Sequence, residues 1–178
     1  NAQSNAIETA FKRNGIPYRI IGGLRFFDRA EVRDMLAYLW AIENHDDALR
    51  IRRIINTPSR RISPRRVEEA MELAQQNSIP LYEVLRGAHS FGVFDRAAAP
   101  MQAFAALLEE LRLQSETMPL DDFYDLVLEK TGYLAMLEQK SDDPESIGRA
   151  ENVRELKSSI VDYMRNHDDH SLAGFLEE

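Results

Sequence analysis

Seven arginines lie close together in one short stretch of this chain and could jointly bind a polyanion. The stretch is residues 50–66, RIRRIINTPSRRISPRR, and it contains no acidic residue. A guanidinium group offers several N–H donors in a fixed plane, which suits the oxygens of a phosphate. The sequence therefore directs attention to this stretch, whose basic residues are Arg50, Arg52, Arg53, Arg60, Arg61, Arg65 and Arg66.

The charge of the rest of the chain makes this arginine stretch stand out. The 178 residues have a formal net charge of -8. Removing the seven arginines leaves 15 of the 22 basic residues against all 30 acidic ones, a balance of -15. Such a surface repels nucleic acid except where a local positive patch faces it. The arginine stretch is accordingly the expected contact with a polyanion.

Residue patterns typical of a self-sufficient active site are missing. The chain has no cysteine, so disulfides, thiolate metal sites and cysteine nucleophiles are excluded. It has no phosphate loop GxxxxGK[ST], no GxGxxG, no HExxH and no GxSxG. Its paired carboxylates fall near predicted helix starts or on predicted exposed faces. We expect no catalytic residue and no metal site, the latter because the histidines are scattered or lie in acidic loops: His45, His89, His167 and His170.

Composition indicates a folded domain rather than a linker or a membrane segment. Hydrophobic residues make up 44% of the chain and charged residues 29%, which are values of globular proteins. No apolar run approaches the ~20 residues of a membrane span, and the first residues lack the pattern of a signal peptide. We expect a cytoplasmic location, and the chain is either one domain or a piece of a longer protein.

The beginning of the chain has a pattern of its own. Residues 1–14 place apolar side chains at helical spacing, and Gly15 ends that pattern. Residues 16–21, IPYRII, are β-branched and aromatic and run into Gly22 and Gly23. This order predicts a helix, a strand and a turn.

Everything after the two glycines has the periodicity of helices. Ser63 is a preferred N-cap, and Pro64 is tolerated at the first helical position, so a helix is predicted to begin there. The fold class is therefore mainly all-α, a multi-helix unit with a small helix–strand stub at the N-terminus. The predicted helices cover residues 30–44, 46–56, 63–77, 80–88, 95–114, 119–132, 147–166 and 170–178.

The arginines divide into two groups with different expected roles. Arg50, Arg52 and Arg53 lie on a predicted helix, where we expect them to pair with acidic neighbours, Arg50 with Asp46. The others surround a turn and are predicted to contact phosphate: Arg60, Arg61, Arg65 and Arg66. Arg65 and Arg66 fall in the first turn of a helix, where cations oppose the helix dipole unless an anion neutralises them. The alternative is that these two pair with acids of their own helix, namely Glu68, Glu69 or Glu72.

Longer motifs along the chain resemble one family. Residues 18–39, YRIIGGLRFFDRAEVRDMLAYL, are followed by RIINTPSRR (53–61), KTGYLAMLE (130–138), RAENVRELKSSI (149–160) and LAGFLEE (172–178). These landmarks are similar in order and spacing to those of UvrD/PcrA/Rep-type DNA helicases. Residues 1–5, NAQSN, look like the end of that family's motif IV, NAQSR, with Asn5 in place of arginine.

The resemblance implies that the chain is one region of a larger enzyme. Residues 1–21 would be the edge of motor subdomain 2A, and residues 22–178 the helical insertion subdomain 2B. Gly22 and Gly23 would form a hinge between them; the alternative is a plain turn. The parent would be an ATP-dependent 3′–5′ DNA helicase of repair or replication that uses ATP and Mg²⁺, whereas this fragment lacks the ATPase motifs and has no cofactor of its own.

The same resemblance assigns a site to the arginine turn. In the family, a turn written TP-x-RGIG contacts duplex DNA, and the matching residues here run from Thr57 to Ser63. Arg61 and Ser63 replace the two glycines. Since glycine permits positive φ and close approach of backbone N–H groups to phosphate, side-chain charge is expected to replace backbone contact here. The expected DNA-binding residues are Thr57, Arg60, Arg61, Ser63, Arg65 and Arg66.

Two hypotheses of function follow from these observations. The first is an accessory and regulatory subdomain that holds the duplex at a fork junction while the parent motor subdomains pull. The second is a protein-interaction or autoinhibitory module, whose acidic helices dock on the parent motor or on a repair or transcription protein. The charge balance of -15 outside the arginine stretch motivates the second. Neither hypothesis involves a membrane.

Overall fold

Successive α-helices make up most of residues 25–178, the part of the chain that the computed structural model describes. Two 3₁₀ segments, Ala88–Ser90 and Gly92–Ala97, precede α5. No strand occurs within these residues, so the prediction of a mainly all-α fold is confirmed for them. The helices are α1 (Ala30–Glu43), α2 (Ala48–Ile54), α3 (Pro64–Gln76), α4 (Leu81–Arg86), α5 (Ala98–Ser115), α6 (Leu120–Thr131), α7 (Tyr133–Glu138), α8 (Pro144–Asn166) and α9 (Leu172–Leu176).

The predicted features of the N-terminal stub fall outside the described residues. These are the helix in residues 1–14, the strand at 16–21 and the hinge at Gly22 and Gly23. The proposed boundary between residues 1–21 and 22–178 therefore stays a prediction. In the described part of the chain, no helix combines the length and apolarity that a membrane crossing requires.

Helix α1 lies at the centre of the core. It packs against α2, α5, α8 and α9, so apolar residues occupy more than one face of it. Its side chains with no exposed surface include Val32, Met35, Tyr38, Leu39 and Ile42. Burying one such side chain contributes roughly 1.5–3 kcal/mol, so the buried residues of α1 contribute to the stability of the fold.

Helices α5, α6 and α8 complete the core around α1. Phe104 of α5 and Phe123 of α6 are almost completely buried. Tyr124 of α6 is also buried, and its hydroxyl donates a hydrogen bond of 2.6 Å to the backbone carbonyl of Val153 on α8. A buried hydroxyl needs such a partner, because leaving it unpaired costs about 1–3 kcal/mol.

Local capping explains where the helices begin and end. Asp143 accepts a hydrogen bond from the backbone N–H of Glu145, so α8 starts at Pro144, three residues before the predicted start. Helix α7 was not among the predicted helices. It begins directly after Gly132, whose φ of +73° ends α6 in the left-handed conformation that glycine adopts without strain.

Candidate nucleic-acid interface

The arginines of α2 serve the fold, as predicted. Arg52 pairs with Glu68 of α3 at 2.5 Å, and Arg53 pairs with Asp34 of α1 at 2.8 Å. Arg50 pairs with Asp47 at 2.5 Å rather than with the expected Asp46. The predicted partner Asp46 was wrong. Asp47 is the N-cap of α2, so its carboxylate already faces the first turn of that helix, where Arg50 lies.

The second group of arginines belongs to a segment that we call the arginine turn, residues 57–66. It connects the end of α2 to the first turn of α3. Asn56 holds the turn from its first end: its side-chain oxygen accepts from the backbone N–H groups of Arg60 and Ile62, both at 3.2 Å. Its side-chain amide also donates to the carbonyl of Ile62. One side chain thus fixes the path of the backbone between the two helices.

Arg60 is turned toward the protein interior. Its Nη1 donates to the carbonyls of Ile54, Ile55 and Pro58 at 2.9, 3.1 and 3.3 Å. Two of these carbonyls lie at the C-terminal end of α2, where a cation is favourable both as a hydrogen-bond donor and toward the helix dipole. The predicted phosphate contact of Arg60 is not tested by this arrangement, but the Nη1 atom is engaged inside the protein.

Tyr38 and Phe104 line the place where the Arg60 side chain lies. Arg60 Nη2 donates to the Tyr38 hydroxyl at 2.6 Å, and that hydroxyl donates to the Thr57 carbonyl at 2.6 Å. The guanidinium carbon lies 4.8 Å from the centre of the Phe104 ring, a cation–π contact. Burial raises the pKa of Tyr38 to about 12, with the positive charge of Arg60 acting in the opposite direction. The hydroxyl therefore stays protonated at neutral pH and keeps its bond to Thr57.

Arg61 combines an unusual backbone conformation with a free side chain. Its φ is +62°, in the left-handed region that favours glycine, the residue that the TP-x-RGIG pattern has at this position. The residue is exposed, and within residues 25–178 its guanidinium has no ion pair and no hydrogen-bond acceptor. Glycine would adopt this φ without strain, whereas here the position carries a guanidinium group.

The strain at Arg61 leads to a testable prediction about stability. Arg61→Gly should raise the free energy of unfolding by about 0.5–1 kcal/mol, because removing Cβ relieves a left-handed conformation that costs ~1–2 kcal/mol, while the added freedom of the unfolded chain offsets part of the gain. Urea denaturation followed by circular dichroism measures it. Ser78→Gly, at φ +53°, is the matched control and should also stabilise. Arg61→Ala should not; equal stability of the glycine and alanine variants would contradict the strain.

Ser63 and Thr57 mark the two ends of the turn. Ser63 has a φ of -63°, so this position needs no glycine. The Ser63 hydroxyl accepts from the backbone N–H of Arg66 at 3.2 Å, which confirms the predicted N-cap of α3. Thr57 is half-buried, and its carbonyl faces Tyr38. The peptide bond between Thr57 and Pro58 is cis.

Arg65 and Arg66 share one carboxylate in the first turn of α3. Glu69 accepts from Arg65 Nε at 3.2 Å and from Arg66 Nη1 at 2.8 Å. These bonds, that of Arg66 first, hold the pKa of Glu69 below its usual value. Arg65 is 85% exposed, and an exposed ion pair contributes only ~0–1 kcal/mol, so exchanging Glu69 for another anion costs little. Arg66 also donates to the Val93 carbonyl and is the less available of the two.

The arrangement can bind an anion through side-chain charge. It offers a cation at Arg61 that has no partner in the described part of the chain, and a weakly paired cation at Arg65. A third cation, Arg66, spans Glu69 and the neighbouring 3₁₀ segment. All three lie at or beside the N-terminus of α3, where the helix dipole adds to the attraction. Arg65 and Arg66 already share one anion, the Glu69 carboxylate.

Two residues that support the turn were not predicted, Tyr38 and Asn56. Tyr38 lies within the predicted helix 30–44, and its hydroxyl bonds depend on a contact between α1 and a turn 19 residues later. Asn56 carried a usable signal, because asparagine before a turn often bonds backbone groups further along the chain. Elsewhere in residues 25–178, no group of three His, Asp or Glu side chains is placed to hold a metal ion.

Comparison with known proteins gives consistent matches along the whole chain. Residues 1–178 match the family described as UvrD-like helicase C-terminal domain. The ATP-dependent DNA helicase PcrA of Staphylococcus aureus is 36% identical over 180 aligned residues, which cover 100% of this chain and 24% of that protein. PcrA of Staphylococcus epidermidis is 35% identical, with 100% and 25% covered. The chain therefore spans about a quarter of the length of these curated relatives.

Proposed function

We propose a function from the premise that this chain belongs to the UvrD-like helicase family, to whose C-terminal domain it corresponds. Within that region, we assign residues 22–178 to the helical insertion subdomain 2B and residues 1–21 to the edge of motor subdomain 2A. The helical character of residues 25–178 supports this assignment. Gly22 and Gly23 would then be the hinge between the two subdomains.

The proposed role of the chain is to hold duplex DNA ahead of the fork while the parent motor translocates. The observation that carries this proposal is Arg61, an exposed guanidinium on a left-handed backbone at the place of a family glycine, with no partner among residues 25–178. The strained backbone at Arg61 lowers the stability of the fold. In an otherwise acidic chain, binding of a phosphate to this cation would explain why the residue is there. Arg65 and Arg66 extend the contact along the duplex backbone, and Thr57 and Ser63 shape it.

Duplex binding by the 178-residue chain tests the proposal. We expect weak binding with log K falling against log salt at a slope of about -2.7, since each of three neutralised phosphates contributes about -0.9. A labelled duplex, titrated by fluorescence anisotropy at several salt concentrations, gives the slope. A single strand of the same length should bind less tightly. No detectable duplex binding at low salt, or binding that does not respond to salt, would contradict the proposal.

The parent protein supplies the chemistry that this chain does not contain. We propose that the parent is an ATP-dependent DNA helicase of repair or replication, like the relatives named PcrA. Its ATP and Mg²⁺ would be held by segments outside this chain, because the 178 residues contain no phosphate loop and the described part no metal-ligating cluster. The contribution of this chain is positioning of the duplex, and no step of hydrolysis is assigned to its residues.

A second candidate function rests on the acidic remainder of the chain. With a balance of -15 outside the arginine stretch, the other helices favour a basic partner over DNA. The partner would be the parent motor, or a repair or transcription protein, in an autoinhibitory or regulatory contact. A pull-down with the separated motor subdomains tests it: capture that persists when Arg61 and Arg65 are alanine would support this function, and absence of capture would count against it.

A further inference from the structure

The hydrogen bonds beneath the arginine turn assign a role to residues that do not face DNA. We propose that Tyr38, Asn56 and Arg60 are positioning residues for duplex binding, which hold the turn in the shape that presents Arg61 at the surface. This inference rests on the proposed duplex contact. It also gives Arg60 a different role from the phosphate contact that the family resemblance implies.

Asn56 controls the backbone on both sides of Arg61. Its side-chain oxygen accepts from the N–H of Arg60, the residue before, and from the N–H of Ile62, the residue after. The Ile62 side chain is 1% exposed, so the far side of Arg61 is also fixed in the core. A residue held between two such anchors keeps its left-handed φ even though its side chain gains nothing from the fold.

Tyr38 and Arg60 connect the same turn to the helical core. The Tyr38 hydroxyl donates to Thr57 and accepts from Arg60, so one buried oxygen joins the start of the turn to its middle. Arg60 in turn joins the last carbonyls of α2 to the ring of Phe104 on α5. These contacts with α1, α2 and α5 hold the turn in its conformation in the absence of DNA.

The availability of donors separates Arg60 from Arg61. The Nη1 and Nη2 atoms of Arg60 have four acceptors within 3.3 Å, and a phosphate would have to displace them. Arg61 has no such competition in the described part of the chain. Because a preformed turn pays no ordering cost on binding, the three supporting residues contribute to affinity without touching the ligand.

A double-mutant cycle between Tyr38 and Arg61 tests this inference. Tyr38→Phe removes the hydroxyl and keeps the ring, and should weaken duplex binding about 3- to 10-fold, with the salt slope reduced by about 0.9, as for the loss of one phosphate contact. In an Arg61→Ala background it should have no further effect, because both changes disable the same contact. Anisotropy titration of the 178-residue chain gives each affinity, and circular dichroism verifies that each variant is folded.

Tyr124→Phe is the matched control for a purely structural effect. Tyr124 is also buried, and its hydroxyl also donates to a backbone carbonyl at 2.6 Å, but between α6 and α8. It should lower thermal stability without changing duplex affinity in either background. Equal weakening by Tyr38→Phe with and without Arg61, or no weakening with Arg61 present, would overturn the positioning role. Unchanged binding in Arg61→Ala alone would instead overturn the proposed function itself.

Discussion

Replacing Arg61 and Arg65 together with alanine should weaken duplex binding on the order of 10- to 100-fold near 0.1 M salt. The two side chains supply two of the three proposed phosphate contacts, so the slope of log K against log salt should change from about -2.7 to about -0.9. Between 50 and 200 mM salt, the wild-type affinity should then fall about 40-fold and that of the variant about 3-fold. Anisotropy titration over this range measures both quantities.

A matched pair of arginines separates this contact from the effect of net charge. Arg149 and Arg154 lie on α8, and each is an exposed partner in an ion pair, with Glu145 and Glu138 respectively. Changing both to alanine removes the same two positive charges from the chain. This control should retain the slope of about -2.7. If it lost as much affinity as the Arg61 and Arg65 variant, net charge rather than the arginine turn would govern binding.

Among the substitutions proposed here, Phe104→Ala should lower the free energy of unfolding the most, by about 3–5 kcal/mol. Phe104 of α5 is 1% exposed and lies in the hydrophobic core. Removing its ring loses the free energy of apolar burial and also leaves a cavity. It also removes the surface on which the Arg60 guanidinium lies at 4.8 Å. Urea denaturation followed by circular dichroism measures the change.

A residue of the same helix provides the comparison for Phe104. Leu113 is 56% exposed, and Leu113→Ala should change the free energy of unfolding by no more than about 0.5 kcal/mol. A loss below about 1 kcal/mol for Phe104→Ala would show that the site collapses around the missing ring. In that case, Phe104 would not be the support that joins the arginine turn to the core.

The helical fold was readable from sequence because its signals are local. Ser63 and Pro64 predict the start of α3 from capping chemistry alone. The apolar spacing of residues 30–44 predicts α1, which is buried against several neighbouring helices. Helix α7 was missed because it is only six residues long and depends on the left-handed Gly132 that separates it from α6. A short helix of this kind has too few positions to show a period.

The support of the candidate site was not readable in the same way. Arg60 and Arg61 are adjacent and chemically identical, yet Arg60 is enclosed by carbonyls and aromatic rings, whereas Arg61 has no partner among the residues that the structure describes. They differ because Arg61 has a left-handed backbone and because Arg60 contacts Tyr38 of α1, 22 residues earlier in the chain. A charge pattern encodes neither feature. The family resemblance located the turn, but the three-dimensional contacts were needed to distinguish the enclosed Arg60 from the exposed Arg61.

The substitutions of the two family glycines have different consequences for the turn. At Ser63 the backbone is extended, so serine costs nothing there and contributes an N-cap. At Arg61 the backbone has the positive φ that favours glycine, and the side chain adds a guanidinium at this position. We therefore propose that this protein has exchanged close backbone contact for side-chain charge, at the cost of strain at one residue.

Mapping the duplex on the chain by nuclear magnetic resonance tests the central claim most directly. Backbone amide shifts of the ¹⁵N-labelled 178-residue chain would be followed as a short duplex is added at low salt. We predict that the largest shifts fall in residues 57–66, while α6 and α8 change little. Largest shifts on those two helices, or no localised shifts at all, would contradict the claim that the arginine turn is the contact with duplex DNA.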